Sequence, residues 1–457
     1  MIAAQQVVEE VLAEAARLGK VDETIVMVND ASDAALRWAN NSMTTNGVSV
    51  RRDTTVISVV RRGDRAHVAS LTSSEVDPSV LPTLVAASQD AALAAPEARD
   101  AAPPLPASDA PADWDAPAPA TDVEVFGSVA ETLTRGFRGS DMLYGYARHI
   151  LETTFLATSG GLRRRYTQPT GSVEINAKRG GGSAWAGTNT PDFVDVPTDS
   201  MLEELSTRLG WASRSIELPA GRYETILPPS AVADLMIYLS WSMDGRGAQE
   251  GRTAFSAPGG GTRVGEKLTD LPLTVYSDPN APGLECTPFV CTAYSDETVS
   301  VFDNGMDIGR VDWIRDGTIN ALRYPRATAA EFGVPVAVAA DNLLMTGGAD
   351  SLTDMIAGTE RGLLLTTLWY IRTVDPAVLL LTGLTRDGVY LIEDGQVRGA
   401  VNNFRFNESP LDLLRRVTQV GVTEMTLPRE WGDSATRAAM PSLRIPDFHM
   451  SSVSQAQ

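Results

Sequence analysis

Apolar residues recur every three or four positions at the start of this chain, and then give way to runs rich in β-branched residues. Residues 5–19 carry the helical spacing and predict an amphipathic helix. The β-rich runs predict strands at residues 24–28, 34–38, 48–60 and 67–71. A second helix is predicted at residues 80–93. A helix, several strands and a helix together predict a small N-terminal α/β domain over residues 1–94.

Proline interrupts this pattern. Residues 95–121 hold seven prolines among alanines and aspartates, a composition that opposes a helix and is typical of a semi-rigid linker. The sequence therefore predicts a linker at 95–121, a central domain at 122–224 and a C-terminal domain at 225–457. Within the central domain, a helix is predicted near residues 202–212.

The C-terminal part has clear start and stop signals for helices. Ser351 and Asp354 have the spacing of a capping box, and Gly362 is predicted to end that helix. Ser409 and Pro410 predict the start of another helix, with Gly421 beyond its end.

Turn signals divide the rest of the C-terminal part into short β-rich runs. They predict hairpins at Asn304-Gly305, Asp316-Gly317, Asp387-Gly388 and Asp394-Gly395. The fold class that follows is α+β: an N-terminal α/β domain, a middle α+β segment, and a C-terminal domain with a large antiparallel, barrel-like sheet plus helices.

Charge and composition exclude several kinds of function. The formal net charge is −20, so nucleic acid is not expected as a partner, because phosphate binding needs a basic face. No apolar run approaches the roughly 18 residues of a membrane helix, and no secretory signal opens the chain. Two cysteines give no disulfide framework. The chain is therefore predicted to be cytoplasmic, without a membrane partner.

One stretch of fifty residues, 361–410, is the most specific feature of the sequence. Its characteristic residues are Arg361, Gly362, Trp369, Tyr370, Arg372, Asp375, Pro376, the run 382–388, the run 392–395, Asn402, Asn403, Arg405, Phe406, Ser409 and Pro410. This spread pattern resembles the C-terminal block of the TldD/PmbA family. The resemblance implies a family of metal-dependent peptidase subunits that work in pairs.

The same resemblance makes residues 229–244 informative. In catalytic TldD-type subunits the corresponding helix carries His-Glu-x-x-x-His, whose histidines bind zinc and whose glutamate acts as general base. In this chain Ile237, Tyr238 and Ser242 stand at the approximate motif positions, and the helix holds no histidine or glutamate. We therefore expect no catalytic residue, no metal ligand and no cofactor in this chain. The resemblance places zinc in a partner subunit.

The remaining histidines and cysteines offer few alternatives. His67, His149 and His449 are far apart in the sequence, and we expect ordinary surface or core histidines. Cys286 and Cys291 are expected to be two small buried thiols, since no further soft ligands accompany them.

The resemblance implies a non-catalytic TldE/PmbA-type subunit that shapes the substrate cleft of a TldD-type partner. The pair would degrade or process unfolded or small peptides. Residues proposed to contact substrate or partner are Trp369, Arg372, Asp375, Arg386, Asp387, Asn402, Asn403 and Arg405. The simpler alternative is that these polar groups make satisfied contacts at turns and strand ends, and the sequence alone does not separate the two. Two other functions stay open: a self-sufficient metallopeptidase with an unrecognised site, and a peptide-binding scaffold that cleaves nothing.

Overall fold

The structure is a computed structural model and describes residues 2–454. Nine α-helices lie within those residues: α1 (Ala4–Leu18), α2 (Leu81–Ala94), α3 (Gly127–Gly136), α4 (Thr198–Trp211), α5 (Pro229–Trp241), α6 (Gly245–Gln249), α7 (Arg326–Phe332), α8 (Leu352–Ala357) and α9 (Pro410–Arg416). None of the helices in this described part is long and apolar enough to cross a lipid bilayer.

Six long strands form the first sheet, which is antiparallel throughout. They are β1 (Glu23–Ala39), β2 (Ser42–Arg62), β3 (Arg65–Ser73), β4 (Met142–Thr158), β5 (Arg163–Arg179) and β6 (Gly182–Asn189), in the order β3-β2-β1-β4-β5-β6. β1 and β2 form a hairpin whose turn residues, Asn40 and Asn41, both have positive φ. Paired positive φ values are typical of the tight turn that suits the twist of a hairpin.

A second sheet is built from the C-terminal half of the chain. Its strands are β7 (Ser215–Ile216), β8 (Gly221–Leu227), β9 (Val275–Ser277), β10 (Val311–Arg315), β11 (Thr318–Ile319), β12 (Leu343–Met345), β13 (Arg361–Leu365), β14 (Leu368–Asp375), β15 (Leu380–Thr385), β16 (Val389–Glu393), β17 (Gln396–Val401), β18 (Phe404–Glu408), β19 (Gln419–Thr426) and β20 (Ala438–Val453). Most pairs are antiparallel, whereas β12–β20, β8–β13 and β7–β17 are parallel. The predicted α+β class is confirmed.

Strands from both sides of residues 95–121 belong to the first sheet, since β1 pairs with β4 along most of its length. The 95–121 stretch runs against this sheet, where Trp114 packs edge-on against Phe155 with ring centroids 5.7 Å apart. The division into separate domains at this stretch stays a prediction.

Two predicted helix ends are wrong. α8 has the expected capping box at Ser351 and Asp354, but it ends at Ala357, and Gly362 lies inside β13. α9 ends at Arg416, and Gly421 lies inside β19. In both cases the helix is short because the chain must return to the sheet.

Two of the four predicted hairpins form. Asp316-Gly317 joins β10 to β11, and Asp394-Gly395 joins β16 to β17. Asn304-Gly305 lies in a loop after a 3-10 turn. Asp387-Gly388 connects β15 to β16, which pair with other strands. A tight-turn dipeptide thus fixes the local bend but does not choose the strand's partner.

Candidate functional site

Helix α5 lies within the largest hydrophobic cluster of the described chain. It begins at Pro229, whose fixed φ suits the first position of a helix. Every residue from 229 to 237 is buried, and only the last turn reaches the surface, where Trp241 is 41% exposed. The helix packs against β20 and β19. It therefore presents its C-terminal end to the surface from a rigid, buried base.

The three positions at which the family's zinc motif would stand lie on this helix or directly after it. Ile237 is buried in the core. The Tyr238 hydroxyl lies 2.5 Å from Oγ1 of Thr373 on β14. The Ser242 hydroxyl donates to the Tyr238 carbonyl at 2.9 Å. An aliphatic chain, a phenol and a hydroxyl engaged by the helix do not supply the imidazole or carboxylate ligands of zinc sites. The residues present do not fit a zinc ion.

The buried carboxylate of Asp234 anchors a separate segment, residues 427–437, to helix α5. Asp234 Oδ1 accepts the Glu430 backbone N–H at 2.9 Å, and the Asp234 carbonyl accepts the Trp431 indole N–H at 3.0 Å. Burial raises the pKa of Asp234 well above its ordinary value, and the nearby Glu430 carboxylate adds to the increase. Asp234 Oδ2 is buried without a hydrogen-bond partner.

The Glu430 side chain extends this connection to β14. Its carboxylate accepts the backbone N–H groups of Tyr370 at 3.0 Å and Ile371 at 3.2 Å, and it receives Arg372 Nη1 at 3.2 Å. Tyr370 has a positive φ of 53°, which leaves two consecutive N–H groups directed at one carboxylate. Helix α5, segment 427–437 and β14 are thereby held together as one unit.

Segment 427–437 lies between two cavities. The larger, of about 170 Å³, is bounded by the first sheet at Tyr146, Arg148 and Glu174 and by Trp369 and Arg429 on the other side. The smaller, of about 70 Å³, is bounded by Ile237, Ser240, Trp241, Arg323, Asp341 and Arg437, among others. The candidate site is this pair of cavities with the segment that separates them.

Arg429 joins the two sheets across the larger cavity. Its guanidinium carbon lies 4.6 Å from the Trp369 ring centroid and 5.2 Å from that of Trp185. Its Nη1 donates to Glu174 Oε2 at 3.0 Å, and the Trp185 indole N–H donates to the same oxygen at 3.0 Å. A cation between two aromatic rings and a carboxylate is held by both electrostatics and stacking.

Aromatic side chains cover the surface end of helix α5. The rings of Trp241 and Trp431 meet edge-on at 5.1 Å, and Tyr238 packs against both. On neighbouring β14, Tyr370 is 54% exposed and Val374 is 55% exposed. We name Tyr238, Trp241, Trp431, Tyr370 and Val374 the aromatic surface. Such a grouping of apolar side chains is typical of a protein contact.

Three of the eight residues predicted to contact substrate or partner lie on β14. Trp369 and Arg372 lie on β14, beside Arg429 and Glu430. Asp375 is the last residue of β14, and its carboxylate accepts the Ala377 N–H of the following turn at 2.9 Å.

The other five predicted residues lie outside β14 and make separate contacts; Arg405 on β18 is two strands across the sheet from Trp369, since both pair with Leu384. Asp387 accepts a hydrogen bond from Ser183 of the first sheet at 2.5 Å, and Arg386 beside it is half-buried. Asn402 Oδ1 accepts the Leu218 N–H at 2.7 Å. Asn403 lies at the β17–β18 turn, where its Oδ1 accepts from the Thr385 hydroxyl at 3.3 Å, and Arg405 on β18 donates to the Thr382 hydroxyl at 3.3 Å. Contact of these residues with a ligand stays a prediction.

The three histidines lie far from one another. His67 on β3 lies near the level of Glu23, the first residue of β1, whereas His149 on β4 faces Ala34. The residue steps from 23 to 34 span about 36 Å of strand, and His449 belongs to the other sheet, on β20. Within residues 2–454, no group of three or more His, Cys, Asp or Glu side chains is arranged to hold a metal ion.

Sequence reasoning missed Asp234, Arg323 and the whole of segment 427–437. Asp234 contacts Glu430, which lies 196 positions away along the chain. No local sequence pattern indicates a contact between residues so far apart. The signal available was the sequence of residues 427–433, in which two charges and a tryptophan stand between a proline and a glycine. A loop with that composition is typical of a segment held by specific contacts.

Comparisons with known proteins show what this chain is similar to. The family model of the PmbA/TldA metallopeptidase C-terminal domain matches residues 220–452, which include helix α5 and segment 427–437. No curated protein matches the chain.

Three solved structures share the fold. TldE from Thermococcus kodakarensis has a TM-score of 0.78 and 16% identity, over 97% of this chain and 99% of that one. A proposed modulator of a DNA gyrase from Thermotoga maritima has a TM-score of 0.73 and 14% identity, over 97% and 99%. Another, from Bacteroides thetaiotaomicron, has a TM-score of 0.73 and 15% identity, over 99% and 100%.

Proposed function

This chain belongs to the PmbA/TldD metallopeptidase family, and we propose that it is the TldE/PmbA-type subunit of a two-subunit cytoplasmic peptidase. In this role it carries no zinc. It docks on a TldD-type subunit with the His-Glu-x-x-x-His helix, and the two enclose a cleft for unfolded or small peptides. The partner supplies the metal and the reaction, and this chain limits what reaches them.

The observation that carries the proposal is the chemistry of helix α5. Its motif positions hold Ile237, Tyr238 and Ser242, and the first of these is part of the hydrophobic core. A side chain packed into a core cannot be exchanged for a zinc ligand without rebuilding its surroundings. The helix therefore serves as a structural support here, and a peptidase of this family needs its metal from another chain.

The aromatic surface supports a protein partner. It lies at the exposed end of the same helix, and Tyr238 joins it to β14 through Thr373. Tryptophan and tyrosine are the residues most often found at the energetic centre of protein interfaces. A subunit docked there would cover Trp241 and stand next to both cavities.

The position of segment 427–437 supports the proposed role of this subunit in shaping the peptide cleft. Asp234 holds this segment to helix α5, and the Glu430 side chain holds it to β14. The cavities on either side therefore have rigid walls. A rigid, narrow entrance admits an extended chain and rejects a folded one. Such selection by exclusion needs no reactive group on this subunit.

Reconstitution tests the proposal. The chain is purified alone and together with a family member that carries the His-Glu-x-x-x-His helix, and cleavage of an unstructured polypeptide and of short peptides is measured. We expect a stable complex, metal in the motif-bearing chain only, and cleavage by the complex. Cleavage by this chain alone, with stoichiometric bound metal, would contradict the proposal and favour a self-sufficient peptidase.

A further inference from the structure

One guanidinium in the candidate site has an unusually poor set of partners. Arg323 Nη2 donates to the Ser240 hydroxyl at 2.7 Å, and its guanidinium carbon lies 5.8 Å from the Trp313 ring centroid. Its Nε is buried with no hydrogen-bond partner. In the part of the chain that the structure describes, no carboxylate forms an ion pair with Arg323 within 4.0 Å.

Burial without a counter-ion is costly for a cation. Burial lowers the pKa of Arg323 to about 10, and the distant Asp296 carboxylate only partly opposes that decrease. A guanidinium in such a position gains from any anion that reaches it, because the anion restores the stabilisation lost on leaving water.

The other arginine and the asparagine of the smaller cavity already have partners. Arg437 pairs with Asp341 at 2.8 Å and also donates to the Pro169 carbonyl at 2.7 Å. Asn342 donates to two backbone carbonyls and accepts the Asp278 N–H at 3.0 Å. Of the two arginines in this lining, Arg323 is thus the one that retains hydrogen-bonding capacity for an anion.

The lining also has the right charge and size for a small anion. The lining contains two arginines, Arg323 and Arg437, and one carboxylate, Asp341. Its formal charge is therefore positive by one, in a chain whose net charge is −20. The cavity of about 70 Å³ equals roughly two water molecules by liquid volume. That space is sufficient for a carboxylate. Trp241, 41% exposed, lines the cavity, so it opens to the surface.

We propose that the cavity at Arg323 binds a carboxylate of the peptide held in the cleft. This inference rests on the peptide-binding role proposed above. The carboxylate is either the C-terminal group of the peptide or the side chain of an Asp or Glu residue. Recognition of a chain end or an acidic residue gives this subunit a direct part in substrate choice, beyond the exclusion of folded proteins.

Isothermal titration of the full chain with defined probes tests this site. The probes are acetyl-trialanine with a free carboxylate, its C-terminal amide, and the amidated acetyl-Ala-Glu-Ala. We expect the free acid to bind about tenfold to a hundredfold more tightly than the amide, as for a charged hydrogen-bond pair. Tight binding of the amidated glutamate peptide would assign the site to side-chain carboxylates as well, and weak binding would restrict it to chain ends.

Variants tie the effect to the residue. R323Q should abolish the difference between acid and amide, and R323K, which keeps the charge but loses the planar fork, should retain part of it. R138Q, which removes an exposed arginine in the first half of the chain, should bind like the unmodified protein. Thermal melting of each variant identifies any that fail to fold, and R323K keeps the test valid if R323Q does.

The outcomes separate this inference from the proposed function. Equal binding of acid and amide would overturn the carboxylate site and leave the peptide-binding role intact. Binding of the single residue N-acetylalanine, lost in R323Q, without binding of any tripeptide would support the site and contradict the peptide-binding role. Absence of binding by every probe would overturn the inference.

Discussion

Asp234 and Glu430 are joined by a 2.9 Å hydrogen bond from the Glu430 N–H to the Asp234 carboxylate. This contact links the buried helix α5 to the segment that separates the two cavities. The two residues are 196 positions apart in the sequence. Their contact therefore fixes helix α5 and segment 427–437 relative to each other at the candidate site. The carboxylate that makes it is wholly buried.

The first prediction concerns this carboxylate and pH. Because burial raises the folded-state pKa of Asp234, folding favours its protonated form. The stabilisation is complete below the unfolded pKa of about 3.9 and is lost as the pH rises through the folded-state pKa. D234N removes this titration. The free energy of unfolding of D234N relative to the unmodified protein should therefore rise between pH 4 and pH 9.

Urea denaturation at a series of pH values measures that difference. The matched control is D64N, which changes an exposed aspartate in the β2–β3 turn and should show a constant difference. A D234N curve parallel to that of the unmodified protein would show that Asp234 does not titrate in this range.

The second prediction concerns the guanidinium that joins the two sheets. R429A removes the ion pair with Glu174 and the stacking on Trp185 and Trp369. We expect it to lower the free energy of unfolding by about 2 kcal/mol, and R429K by about half as much. R372A is the control, because Arg372 is 64% exposed in its pair with Glu430 and exposed pairs contribute little. Equal losses in R429A and R372A would refute the bridging role.

Part of the N-terminal fold could be predicted from the sequence, and helix α1 most clearly, because it has a distinct apolar stripe. Helices α1, α2 and α4 lie close to their predicted positions. β1 was predicted as two strands, since the polar residues 29–33 interrupt its apolar pattern. In the structure two of those residues have partners outside their own strand: Asp30 pairs with Arg52 at 2.5 Å, and Ser32 donates to the Thr121 carbonyl at 3.2 Å. Partners that are distant in sequence cannot be inferred from one strand alone.

The candidate site could be predicted only in part. The resemblance identified helix α5 and β14, because their residues match a known pattern. Arg323 stands alone in the sequence, and its importance comes from the cavity and from the lack of a carboxylate partner. Those properties depend on how distant parts of the chain pack, which no motif encodes.

The third prediction concerns the two cysteines. Burial raises the pKa of both Cys286 and Cys291 to about 12, so at pH 8 roughly one thiol in ten thousand is a thiolate. The expected burial is confirmed for Cys286, whereas Cys291 is partly exposed and its Sγ lies 3.3 Å from Met27 Sδ.

A colorimetric thiol reagent such as Ellman's reagent checks this at pH 8. Native protein should release almost no chromophore over an hour, and protein in denaturant should release two equivalents at once. Rapid reaction of one thiol in the native protein would contradict the expected protection and would identify Cys291 as accessible.

The fourth prediction concerns the aromatic surface. If the partner docks on it, W241A should weaken the complex with a motif-bearing subunit at least about tenfold, as for a residue at an interface centre. Stability should change little, because Trp241 is 41% exposed. Y294A is the matched control, since Tyr294 is 64% exposed on a loop and is not part of the aromatic surface. Surface plasmon resonance with the immobilised partner gives both affinities, and equal affinities would place the interface elsewhere.

The central claim is that this chain acts as the zinc-free half of a peptidase complex. Affinity capture of the intact chain from its native host, followed by mass spectrometry and metal analysis of the captured complex, tests it most directly. The account predicts a near-stoichiometric second chain with the His-Glu-x-x-x-His helix and about one zinc ion per pair. Recovery of this chain alone, with bound metal and peptidase activity of its own, would contradict it.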